Sequence, residues 1–325
     1  MMLDELDYVL PRERIAQRPC IPRDRCNLLV VHGDAIEHRK FYEIVDYLRK
    51  GDVLVLNDSR VMRVRLFGRK RTGGQLELLV IGGSDGRYEC LMKGKYREGT
   101  VFSVGDYEGA VVEKRDGRCI VEIPLTFDEI ERLGHMPTPP YIKEVVEHDE
   151  WYQTVFAREK GSIAAPTAGL HFTEELLQKI AHMGVATVFV TLHVGLATFM
   201  PIEKIQEESE YYRVGEEEAE IINNAEGRVI AVGTTTVKAL ESASKNGVVY
   251  PSRGWSNLFI SHDHMFQSPM NGMLTNFHMP KSSPLVLTAA FAGKERLMRA
   301  YREALKRDYR MLSFGDAMLI LPCSK

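Results

Sequence analysis

Residues 162–199 read SIAAPTAGLHFTEELLQKIAHMGVATVFVTLHVGLATF, and the order of elements within them sets the fold class. A loop of small residues, APTAGLH, ends at His171. Thr173 then offers an N-cap hydroxyl, and Glu174 and Glu175 sit in a first turn whose dipole favours acids. Leu176, Leu177 and Ile180 form one apolar stripe, and Gly184 closes the helix. Residues 185–193 follow as a Val-rich strand, and a second small-residue loop surrounds its end at His193. Loop, helix, strand and loop in succession are the working unit of an α/β layer. Ala, Gly, Pro and Thr let a backbone lie close to a ligand, and both loops carry a histidine. Two tightly packed turns with core histidines are the competing reading.

The same texture extends outward on both sides. Upstream, 27–31 is a short apolar strand, 41–49 has helical spacing ending before Gly51, and DVLVLN at 52–57 reads as a buried strand. Its end carries Asn57-Asp58-Ser59-Arg60, where α/β sheets place function, although an Asx turn explains the same residues. Downstream, 215–224 is an acidic helix. RVIAV at 228–232 is a strand running directly into Gly233-Thr234-Thr235-Thr236 and a helix that Gly247 stops. Strand, Gly-Thr turn and helix N-terminus together make an anion cradle, with an ordinary threonine cap as the plain alternative. LTNFHMPKS at 274–282 gathers Asn276, His278 and Lys281; two amphipathic helices, at 283–292 and 294–306, and a final strand after Asp316 complete the chain.

Between these halves the pattern changes. Short alternating runs at 75–81, 88–92, 100–104, 110–114 and 119–123 are separated by GG, GGSDG, GDYEG and RDG, which are hairpin signals, and helical periods vanish. The expectation is an α/β (mixed α+β) catalytic domain, residues 1–60 and 145–325, with an inserted small all-β barrel at 61–144. Three prolines in MPTPPYIK enforce an extended return. Residues 60–71, RVMRVRLFGRKR, hold six basic residues in twelve. Arg60, Arg63 and Arg65 recur at strand spacing beside Phe67, as a phosphate-binding edge or a solvated edge that resists aggregation.

Composition narrows the function classes. The 325 residues carry a net charge of −3, so a nucleic-acid partner needs a local basic patch. Five scattered cysteines without a CxxC pair fit a reducing compartment, and no apolar run approaches the ~20 residues that span a bilayer. The start of the chain lacks a signal-peptide core, so a cytoplasmic protein with no membrane association is expected. His262 and His264 have a ligand-like spacing, but no HExxH and no matching carboxylate accompany them, so no metal is expected. A Ser/His/Asp triad lacks support as well. What remains is a pocket of Thr, Asn, His, Lys and backbone amides, suited to a polar, partly anionic small molecule and to acid/base chemistry by histidine.

Ten segments resemble one family in order along nearly the whole chain: IAQRPCIPRDRCNLLV (15–30), GDVLVLNDSRV (51–61), GGQLELL (73–79), MPTPPYIK (136–143), YQTVFA (152–157), AAPTAGLHFT (164–173), TLHVGLATF (191–199), AVGTTTVKALES (231–242), LTNFHMPKSS (274–283) and SFGDAML (313–319). The family is the S-adenosylmethionine:tRNA ribosyltransferase-isomerases of queuosine biosynthesis. The resemblance implies S-adenosylmethionine as a ribosyl donor and substrate, with no further cofactor. The implied partner is a tRNA bearing 7-aminomethyl-7-deazaguanine at the wobble position, and the products are epoxyqueuosine, adenine and methionine. It implies His171, His193 and Asp316 as catalytic candidates. Asn57, Asp58, Thr167, Gly169, Gly195, Gly233, Thr234, Thr235, Asn276, His278 and Lys281 become substrate-binding candidates, and Arg60, Arg63 and Arg65 RNA contacts. A monomer is expected. The chain departs from the family pattern at Trp151, Ala197, Met200, Ile205, Glu208, Lys238 and Ser283-Pro284. A tRNA-binding relative without turnover, and a metal-dependent hydrolase built on the 262–264 histidines, are the alternatives.

Overall fold

The computed structural model describes residues 3–115, 117–144, 146–195 and 209–322. Two compact units emerge, one from residues 1–60 and 140–325, the other from 61–139.

The first unit is built on a nine-stranded mixed sheet. Its order is Ser252–Ser256, Glu210–Val214, Ala186–Leu192, Val53–Asn57, Val229–Val232, Gly272–Asn276, Ala317–Leu321, Asn27–His32 and Ala35–Lys40. The four strands from Ala186–Leu192 to Gly272–Asn276 run parallel, and their carboxyl ends share one edge. Ala317–Leu321 pairs antiparallel with Gly272–Asn276, so Ala317 sits beside Asn276 and Asp316 starts at that same edge.

The centre of the sheet shows why the residues of DVLVLN are apolar throughout. Alternation sends Val53 and Val55 to one face, packed with Val237 and Leu240, and Leu54 and Leu56 to the other, packed with Phe172, Leu176 and Ile180. Asp52, fully buried, opens this strand. Its carboxylate accepts from the backbone N–H groups of Arg49 and Arg228 and pairs with the Arg228 guanidinium at 2.5 Å. Burial opposes its ionisation, but the Arg228 and backbone donors prevail and hold the carboxyl below its ordinary range.

Helix Glu174–His182 starts at Thr173, whose hydroxyl accepts from the Leu176 N–H; Leu176 and Ile180 are buried, and Leu177 is half-buried beside them. Two other segments differ from the sequence reading. Residues 41–47 form a 3-10 helix, burying Phe41, Ile44 and Val45. The helix after Gly233 ends at Ala243, and Ser244–Lys245 turns back on Val248–Val249 through Asn246 and Gly247, both at positive φ. A tight turn of left-handed residues there replaces the last helical turn.

The second unit contains a closed antiparallel barrel ordered Arg118–Glu122, Arg87–Lys93, Gln75–Ser84, Arg65–Lys70, Val101–Val104 and Tyr107–Arg115. It is not purely β. Helix Phe127–Leu133 follows the last strand, and a Thr126–Glu129 capping box starts it. The helix has only seven residues, too short for a periodic signal, but its T-x-x-E start was readable.

Candidate active site

The carboxyl edge of the four parallel strands collects Asn57, His193, Gly233–Thr235 and Asn276. Asn57 is a bracket. Its amide nitrogen donates to the Leu192 carbonyl at 2.9 Å and to Thr235 Oγ1 at 3.3 Å, while Oδ1 accepts from the N–H groups of Leu192 and Ser59. All four hydrogen-bonding positions of an asparagine amide are thus taken inside the protein. Asp58 is equally committed, accepting from Thr191 Oγ1 and pairing with Arg158 at 2.6 Å. Both fix the end of the central strand against the strand that delivers His193.

Among the described residues His193 has a hydrogen bond at one ring nitrogen, whereas His171 has one at each. The His193 Nδ1 lies 2.8 Å from Ser59 Oγ, which is 2.6 Å from Ser162 Oγ; Ser162 Oγ in turn accepts from the Val194 N–H. Among the described residues nothing bonds Nε2. One ring face stacks on Tyr211, with centroids 5.5 Å apart. Gly161, at φ +153°, presses so closely that a Cβ there would stand 2.5 Å from Nε2. Burial lowers the imidazole pKa below its usual 6.5, against the opposing charges of Asp58 and Glu159. A half-buried, neutral imidazole with one nitrogen anchored and the other open can accept or donate a proton. Ser59 is fully buried and bonds Nδ1, so the pair orients the ring and does not form a hydrolase nucleophile.

His171 has the opposite character. Its Nε2 lies 3.2 Å from Asn276 Oδ1 and its Nδ1 3.1 Å from Cys26 Sγ. The Asn276 amide nitrogen donates to the carbonyls of Leu312 and Ser313, which turns Oδ1 toward the ring. Nε2 therefore carries the proton and Nδ1 accepts from the Cys26 thiol. Burial pushes the His171 pKa down to about 4 and the Cys26 thiol up. Phe41 packs on the ring at 5.0 Å. Both nitrogens are consumed inside the core.

Asp316 is a clasp. Its oxygens accept from the N–H and side-chain amide of Asn27 and from the Arg310 N–H, all within 3.0 Å. Alternation along Gly272–Asn276 turns Thr275 and Asn276 to opposite faces. Asn276 bonds His171, whereas Thr275 Oγ1 bonds His278 Nε2 at 2.8 Å, so His278 belongs to the other face. Burial lowers the His278 pKa to about 3. Lys281 pairs with Asp4 and Asp7, away from the edge cluster.

The Gly-Thr turn stays at the edge. Gly233, at φ +90°, starts helix Thr234–Ala243, and Ala168 of the Thr167–His171 turn lies 3.5 Å from where a Gly233 Cβ would stand. Thr236 turns its hydroxyl back to the Val232 carbonyl, which leaves Thr234 and Thr235 at the mouth. A Cβ on Gly169 would stand 2.8 Å from Phe156 and 2.9 Å from Thr154, so glycine is required there by close approach. The Gly195 N–H donates to Glu210, which pairs with Lys238 at 2.8 Å. Ala197, Met200, Ile205 and Glu208 lie outside the described residues.

His264 bonds Glu241 at 2.8 Å, and Glu241 also accepts from the N–H groups of Gln267 and Ser268. His262 is exposed beside Asp263. Among the described residues no three His, Cys, Asp or Glu side chains are grouped to hold a metal ion, and no helix is long and apolar enough to cross a membrane. Arg60 is exposed; Arg63 and Arg65 belong to the barrel unit. Arg65 is held bidentately by Glu77 at 3.0 and 3.1 Å and lies 5.2 Å from the Phe67 ring centre.

The queuosine biosynthesis protein family model matches residues 3–320. The chain belongs to this family. It is 49% identical to the S-adenosylmethionine:tRNA ribosyltransferase-isomerase of Symbiobacterium thermophilum and 44% identical to that of Desulforamulus reducens, each over 99% of this chain and the whole of the relative. The crystal structure of S-adenosylmethionine tRNA ribosyltransferase from Thermotoga maritima aligns over 98% of this chain and all of its own, at a TM-score of 0.59 and 38% identity. The family resemblance read from the ten segments is borne out, as is the pairing of an α/β sheet with a β-barrel.

Sequence reasoning missed four contributors to the edge cluster of this family member. Ser59 was legible as part of a polar turn but not as the partner of His193. Ser162 and Gly161 carry no motif. Tyr211 lies in the strand next to the sheet edge, where an aromatic is unremarkable.

Proposed function

We propose that this protein transfers the ribosyl unit of S-adenosylmethionine to the aminomethyl group of 7-aminomethyl-7-deazaguanine in the wobble position of tRNA, and rearranges it to epoxyqueuosine with release of adenine and methionine. The full-length family match carries this reading. The reaction needs a base at the ribose 5′ carbon, acidified by the sulfonium, and a donor for departing adenine. It needs a neutral, aligned amine and donors for the methionine carboxylate. His193 is the group we assign to proton transfer, because its Nε2 is open and its ring is held from the other nitrogen. His171, saturated by Cys26 and Asn276, is assigned to holding the adjacent turn. The amides at the start of helix Thr234–Ala243, with the Thr234 and Thr235 hydroxyls, suit the methionine carboxylate. Asn57 and Asp58 are assigned to positioning these groups, and the protein works in the cytoplasm.

Incubating the protein with S-adenosylmethionine and tRNA carrying the 7-aminomethyl base tests this. Adenine and methionine should appear in equal amounts, dependent on the modified base. No adenine release, with the protein folded, contradicts it.

A further inference from the structure

The barrel unit carries a charged concavity that takes in the end of the basic run 60–71. It is open, about 530 Å³ in volume, and lies where the turn after strand Arg65–Lys70 meets the loop after strand Arg87–Lys93. Lys70, Arg71, Lys95 and Arg97 line it, and no acid does. Lys70 donates to the Lys95 carbonyl at 2.9 Å, which ties the two loops together. Lys114, over the Tyr96 ring at 5.0 Å, adds a fifth cation beside them.

Their partners leave this charge largely uncompensated. Arg71 pairs with Glu108, but the two side chains are 70% and 60% exposed, so the pair is worth well under ~1 kcal/mol and exchanges readily for another anion. Glu98 is turned to the Lys114 N–H. Lys95 and Arg97 are exposed and have no acidic partner among the described residues. Gathering like charges in one concavity costs self-repulsion, and a chain with net charge −3 does not do so by composition. Arg65, by contrast, is already bonded to Glu77.

We propose that this loop end of the barrel docks the phosphate backbone of the tRNA. The proposal rests on the reading that the protein acts on tRNA. The cations come from two loops around one open concavity, which suits successive phosphates better than one small anion. Lys114 sits over the half-buried Tyr96 ring and the surrounding cations address phosphate, so contact here is sequence-independent positioning.

The test is tRNA binding by the full-length protein across about 50–200 mM salt. The double variant Lys95→Gln/Arg97→Gln should bind at least about 10-fold more weakly near 0.1 M salt, with a log–log salt slope shallower by about 2. Lys95→Arg/Arg97→Lys should bind like the wild type. Wild-type binding with an unchanged affinity and slope in the Gln variant overturns the docking site and leaves the tRNA reading intact. Equal loss in the charge-conserving variant also overturns it. Absence of wild-type binding overturns both.

Discussion

His171 ends one small-residue loop and His193 opens another, and only their neighbours separate their chemistry. Cys26 and Asn276 take both nitrogens of His171, whereas Ser59 takes one of His193. The sequence indicates that two histidines reach one edge of the sheet. It cannot indicate saturation, because Cys26 and Asn276 lie 145 and 105 residues from His171. Two predictions belong at this scale. If neutral His193 is the base, kcat/KM is level near pH 7.5 and falls as acid protonates it, below its ordinary 6.5; a pH profile checks this, and a limb centred well above 6.5 contradicts it. His171 tests linkage. An unfolded histidine takes its proton below about pH 6.5, but folded His171 only below about 4. The unfolded state therefore binds more protons in between, and stability falls as the pH drops through that window. Urea unfolding at pH 7 and pH 5 should show His171→Gln losing about 2 kcal/mol less than the wild type.

At the scale of elements, the apolar run of 52–57 identified a strand buried on both faces, and the strand–Gly-Thr–helix sequence identified a helix N-terminus at the same edge. The antiparallel placement of Ala317–Leu321 was not legible, since strand order depends on pairings between distant segments. That placement brings Asp316 to the edge as a clasp for Asn27 and Arg310. The hairpin pattern revealed the barrel but hid its short helix. Gly161 shows how an element tunes a residue. Its φ is +153°, and a Cβ built on it would stand 2.5 Å from His193, which leaves no room for a side chain. Gly161→Ala should lower kcat by about 10- to 100-fold and cost roughly 1–2 kcal/mol in stability. A variant with wild-type kcat would show that His193 need not be held where it is.

Across the molecule, a sheet presents acid/base groups and a helix N-terminus at one edge, and a separate barrel unit concentrates positive charge on its loops. The division was visible because hydrophobic periodicity switches near residue 61 and back after the prolines. Which end of the barrel carries free charge was not visible, since acidic partners such as Glu77 come from neighbouring strands. The most direct test of the account is single-turnover adenine release from S-adenosylmethionine, with tRNA bearing the 7-aminomethyl base, by wild type and by folded His193→Ala. General acid/base catalysis contributes at least ~10²-fold, so the variant should release adenine about 100-fold more slowly or worse. Release at near wild-type rate would contradict the central role given to His193.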